Sequence, residues 1–181
     1  MEERLDEYGF PVFEENAFPI AYLLTFRTYG TWLHGTNKGS VGRTGTNIYG
    51  HPGITQSVPL IEDMSARQTA EPTILTCEER EIVAAAINEV CEHRGYTLRS
   101  LNVRTNHAHA VVSYFCRPEK IVNDFKAYST RALRRSWQRS ADERIWSRGA
   151  STRYLWKPRH VTAAIDYVLY CQEDIPFEFR D

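Results

Sequence analysis

Apolar residues recur along this chain with two different periods, and the change of period marks out its elements. Residues 20 to 28, IAYLLTFRT, form a β-favouring apolar run that predicts a strand. Thr76 with Glu79 spells a capping box, and Ile82, Ala85, Ala86 and Val90 then keep helical spacing until Gly95 stops the helix. The next segment, YTLRSLNV, alternates Tyr96 and Leu98 with Thr97 and Arg99; a few polar residues separate it from HAHAVVSY, so the two read as a hairpin. Pro118 opens a second helix with an apolar stripe at Ile121, Phe125, Tyr128 and Ala132. IWSRGASTRYLW follows as a strand or loop with aromatic anchors. A last helix is predicted from Val161 to Glu173, with Val161, Ala164, Ile165, Val168 and Leu169 on one stripe.

With the aromatic segment taken as a strand, the order is βαββαβ plus an extra C-terminal helix. This predicts an α+β, ferredoxin-like arrangement, with an antiparallel sheet whose first and third strands are central. Between the first strand and the first helix the pattern breaks. Seven of the ten glycines lie between residues 30 and 53, and the polar stretch continues to about 75, so 30–75 reads as a long insertion. Its GTWLHGTNKGS piece fails as a phosphate loop, because Thr36 follows Gly35 where the motif needs lysine and a hydroxyl residue further on.

A length of 181 residues suits one domain, 1–181, carrying that insertion. The acidic start MEERLDEYGF and the lack of a long apolar run predict a cytoplasmic protein without a membrane partner. Cys77, Cys91, Cys116 and Cys171 lie far apart with no CxxC pair, the pattern of reduced thiols. The net charge of -1 speaks against a polyanion partner, but it is unevenly spread. From Arg117 to Arg159 there are twelve Lys/Arg against four Asp/Glu. Such a strip, which includes Arg139, can bind nucleic acid locally, with Lys126, Arg131, Arg134 and Arg135 of the second helix as phosphate contacts.

The candidate chemistry begins at RTNHAHAVV, residues 104 to 112. An HxH pair is a common accident. On a strand, however, His107 and His109 share a face while Ala108 and Ala110 take the other. Two rings on a central strand need water, a partner or a ligand, because a buried unpaired imidazole costs about 1–3 kcal/mol. On the last helix, Tyr167 and Tyr170 lie off the apolar stripe, so core filling explains them poorly, and Gln172 brings an amide to the edge of the packed face. A phenol can attack phosphorus, and an amide oxygen can bind a hard cation. Trp137, Trp146 and Trp156 are either core anchors or platforms for unpaired bases.

Taken together, NHAHAVV, the Arg-rich helix after it, WSRG, and the C-terminal DYVLYCQ resemble the HUH single-tyrosine transposases, in layout the REP-associated branch. The resemblance spans about residues 20 to 173. It implies a ferredoxin-like fold and a tyrosine that cuts single-stranded DNA near a hairpin, held as a phosphotyrosine at the 5′ phosphate and then rejoined. It implies a divalent metal, Mg²⁺ or Mn²⁺, on His107, His109 and Gln172, with Tyr167 as nucleophile, and a homodimer. The chain departs from the family's spacing of tyrosine, three residues, glutamine. Gln172 is five residues after Tyr167, about 140° round a regular helix. An unwound helix end, a different ligand, or Tyr170 as nucleophile would each accommodate that step. Two other functions fit the same residues: a hairpin-binding protein that does not cut, and a metallohydrolase drawing a third ligand from His34 or His51.

Overall fold

A computed structural model of the chain describes residues 18–31, 70–136 and 138–170. Most of the Gly-rich insertion, together with His34, His51, Trp137, Cys171 and Gln172, lies outside the described residues. The described elements run β1 (Ala21–Arg27), α1 (Cys77–Arg94), β2 (Thr97–Val103), β3 (His107–Ser113), α2 (Pro118–Arg135), β4 (Ser151–Leu155) and α3 (Pro158–Tyr170). The four strands form one antiparallel sheet in the order β2-β3-β1-β4. This is the predicted topology, with β1 and β3 central.

Local chemistry accounts for the element ends. The Thr76 hydroxyl accepts from the Glu79 amide while the Glu79 carboxylate accepts from the Thr76 amide, closing the capping box at α1. Gly95 ends that helix at φ 71°, the left-handed region where a side chain is strained. Pro118 starts α2. The third helix starts at Pro158, earlier than Val161, because a proline in the first turn has no amide hydrogen to lose and the right φ already.

Strand alternation divides the apolar residues between two layers. On one face Tyr22, Leu24 and Phe26 of β1 and Ala108, Ala110 and Val112 of β3 pack with Val83, Ile87 and Val90 of α1 and Ile121, Phe125 and Leu133 of α2. The buried stripes are rotated slightly from the predicted ones: Ala85 is exposed while Val83 and Ile87 are buried. On α2, Tyr128 and Ala132 are half-buried beside fully buried Ser129 and Leu133. The opposite face is covered by α3. Its Val161, Ala164 and Val168 pack with Ala21, Val111 and Leu155. The sheet therefore carries two helices on one side and the C-terminal helix on the other.

Away from the sheet, Glu79 is 2% exposed and paired with Arg139, which also donates to the Ile74 carbonyl and to Glu143. This ties the start of α1 to the segment after α2. Arg139, part of the basic strip that follows the hairpin, is thus engaged in the scaffold. Trp146 sits edge-on to Phe26 in the core, while Trp156 stacks on Tyr154. Cys77, Cys91 and Cys116 are free thiols, as predicted. No helix among the described residues is long and apolar enough to cross a membrane.

Candidate metal and nucleophile site

The side of the sheet under α3 has polar residues where the other side is apolar. In β1 the alternation leaves Leu23, Thr25 and Arg27 on this face. Antiparallel pairing sets Thr25 opposite His109 and Arg27 opposite His107. Extending the same rows outward, Ser151 of β4 lies opposite Thr25, and Asn102 of β2 lies opposite His109. One row of the sheet thus reads Ser151, Thr25, His109, Asn102, with Arg27 and His107 beside it.

The two imidazoles meet edge to face, centroids 4.6 Å apart. Each has a partner at Nδ1. His107 Nδ1 lies 2.6 Å from the Asn106 side-chain oxygen, an acceptor only, so Nδ1 carries the proton and Nε2 keeps its lone pair. His109 Nδ1 lies 2.8 Å from the Thr25 hydroxyl. That hydroxyl can accept from Nδ1–H, and in that tautomer Nε2 carries the lone pair. Two imidazoles oriented through Nδ1 on one face are a donor set that suits a metal-binding histidine pair. Among the described residues no group of three or more His, Cys, Asp or Glu side chains completes a cation site. The pair fits a divalent ion whose other ligands are oxygens from substrate, water or an amide, and Gln172, the expected amide, lies outside the described residues.

Tyr167 stands over the same pair. Its ring is edge-on to that of His109, centroids 5.5 Å apart, and it remains 40% exposed. Because Val161, Ala164 and Val168 hold α3 against the sheet, the residue just before Val168 falls on the helix flank beside β3. Asn102 secures this end of the helix by donating to the Val168 carbonyl at 2.9 Å, a buried bond. Tyr170, 57% exposed, lies one turn further on. Arg27 borders the site; burial pulls its guanidinium below its ordinary pKa, and the neighbouring Tyr167 hydroxyl acts the other way. An arginine stays charged throughout the accessible pH range, so Arg27 brings a fixed positive charge beside the phenol.

The basic residues of α2 do not join this cluster. That helix packs on the opposite layer. Lys126, expected as a phosphate contact, donates to the carbonyls of Ser147 and Gly149 and lies over the Phe26 ring. Burial lowers its pKa to about 8. Its geometry is that of a brace for the loop before β4. Arg134 donates to the Ala141 carbonyl, Arg131 lies over the Tyr128 ring, and Arg135 is exposed. The sheet thus brings His107, His109 and Tyr167 together and leaves Lys126, Arg131, Arg134 and Arg135 on the far side.

Four residues of the site were not singled out by the sequence: Thr25, Arg27, Asn102 and Asn106. The signal for the first two was present, since Leu23, Thr25 and Arg27 alternate with Tyr22, Leu24 and Phe26 at period two. Asn106 was visible as the residue before His107. Asn102 was not distinguishable from any polar strand residue.

The family model for IS200-like transposases matches residues 67–168, more than half of the chain. No curated protein sequence matches it. Among solved structures, the chain is similar to that of the REP-associated tyrosine transposase bound to a REP hairpin, with 12% identity and TM-score 0.46, over 87% of this chain and 71% of that one. It is likewise similar to a crystal structure of a candidate transposase from Deinococcus radiodurans R1, with 12% identity and TM-score 0.47, over 86% of this chain and 92% of the other.

Proposed function

The chain belongs to the IS200-like transposase family, and from that premise we propose that it cuts and rejoins single-stranded DNA near hairpins through a covalent phosphotyrosine. The observation that carries this reading is the convergence of three side chains from two elements: His107 and His109 from the central strand β3, and Tyr167 from α3, with its ring 5.5 Å from that of His109.

In this reading Tyr167 Oη attacks the scissile phosphorus and loses its proton. An Oη–P bond forms as the P–O3′ bond breaks, and the departing 3′ oxygen takes up a proton. The 5′ phosphate stays on the enzyme as a phosphodiester of tyrosine. The reverse attack by a 3′ hydroxyl rejoins the strand without ATP, because the linkage conserves the energy of the bond broken. His107 and His109, with Gln172 as a further ligand, would hold Mg²⁺ or Mn²⁺, which when bound supplies a Lewis acid for a non-bridging phosphate oxygen. Asn106 and Thr25 orient the imidazoles. Arg27 places a guanidinium beside the phenol, where it favours the charged phosphate. Arg131, Arg134 and Arg135, on the other layer, form a separate basic surface for flanking DNA backbone.

The test is a gel assay for a denaturation-resistant adduct between the full chain and labelled single-stranded hairpin DNA, with Mn²⁺ or Mg²⁺ and with EDTA. A metal-dependent adduct is expected. Hairpin binding without any adduct, unchanged by EDTA, would identify a non-cutting binding protein instead.

A further inference from the structure

Beside Tyr167, on the flank of α3 that looks toward β4, a groove of about 390 Å³ runs over the sheet. Its floor is Leu23 and Leu155, and its rim carries Ser151, Arg153 and His160, with Tyr167 closing one end. We infer that this groove seats the nucleotide adjoining the scissile phosphate. The base lies against Leu23 and Leu155, and Arg153 and His160 hold the next backbone phosphate. The inference rests on the proposed strand cutting and gives it a path for the substrate.

Three observations converge on that occupant. The first is continuity. Tyr167 is both the end wall of the groove and the ring against His109, so a strand whose phosphate reaches the phenol continues into the groove. The row Ser151, Thr25, His109 forms an unbroken polar track between the two. The second is size, since sites for small organic groups hold about 300–1,000 Å³, and one nucleotide falls at the lower end of that range. The third is chemistry. The leucines together with the cationic and N–H donors of Arg153 and His160 match a base and its phosphodiester.

Sheet geometry places the rim. Ser151 and Arg153 are two residues apart on β4 and share a face, which carries Arg153 about 7 Å further along the strand. His160 projects from the first turn of α3, across the groove, and Ala163 presents only a methyl group there.

Binding in EDTA isolates this groove from the chemistry. The probe is a fluorescein-labelled dT10 strand, measured by anisotropy against the full chain over a range of salt concentrations. Arg153→Gln is expected to weaken binding several-fold and to lower the magnitude of the log–log salt slope by about 0.7, the value for one lost phosphate contact on a single strand. Arg153→Lys should restore the slope. Ala163→Trp, which fills the groove without altering charge, should weaken binding about tenfold with the slope unchanged. Wild-type affinity and slope in both Arg153→Gln and Ala163→Trp would overturn the groove, whether or not the chain forms an adduct. A wild-type chain that forms no adduct but shows these binding changes would overturn the cutting reaction and keep the groove. A chain that does not bind dT10 at all would overturn the groove, while the hairpin adduct assay decides the cutting reaction on its own.

Discussion

The ring of Tyr167 meets the ring of His109 edge-on, at an interplanar angle of 81°, although the two residues lie on different elements 58 positions apart in the chain. The contact depends on where α3 docks, and its apolar stripe fixes that docking. Tyr170 follows three residues later on a more exposed part of the same helix. Tyr167→Phe is therefore expected to reduce adduct formation by about 10³-fold or more while hairpin affinity stays within twofold. Tyr170→Phe should keep most of the activity, and the reverse pattern in the gel assay would transfer the nucleophile's role to Tyr170.

Asn106 accepts from His107 and thereby selects the ring nitrogen left for a metal. Asn106→Ala should lower Mn²⁺ affinity about 10–100-fold, as loss of a partner behind a ligand does elsewhere. His107→Ala with His109→Ala should abolish specific Mn²⁺ binding. Calorimetric titration of the three proteins, without DNA, checks both statements.

The bond from Asn102 to the Val168 carbonyl anchors the end of α3 that carries Tyr167. Asn102→Ala removes this buried bond, so a loss of about 1–2 kcal/mol in urea unfolding is expected. The adduct rate should fall further, about tenfold, since small displacements of a reacting group are costly. Stability and single-strand affinity measured on the same preparation separate the two effects. An unchanged adduct rate would mean that the apolar stripe alone positions Tyr167.

Glu79 joins helix capping to pH dependence. Burial pushes its carboxyl up, but the bonds from Arg139 and from the Thr76 amide outweigh burial and leave it below the ordinary carboxylate value. A carboxylate with a depressed folded pKa contributes stability that is complete above its unfolded value, about 4.3, and is lost as pH falls through the folded value. The melting temperature should drop on acidification below about pH 4, and Glu79→Gln should flatten that dependence. Glu79→Ala, which also leaves Arg139 without its buried partner, should cost about 3 kcal/mol at pH 7.

Much of the fold is legible along the chain because its signals are local. The capping box at Thr76, the stop at Gly95 and the switch from period 3.6 to period 2 each act within a few residues. The shared face of His107 and His109 follows from strand geometry alone, and the family resemblance added Tyr167. Sequence periodicity could not rank the charges of α2. Lys126, Arg131, Arg134 and Arg135 look alike in a list of basic residues, yet Lys126 braces two carbonyls and all four lie across the sheet from the histidines.

That division has a physical cause. Alternation fixes which side chains of one strand share a face, but not what stands opposite them. The register between β1 and β3 put Thr25 and Arg27 beside the histidines, and the docking of α3 on the second face put Tyr167 above them. Both depend on contacts between residues distant in the chain. The elements and the histidine pair thus follow from signals within a few residues, whereas the neighbours those histidines keep follow from strand register and helix docking.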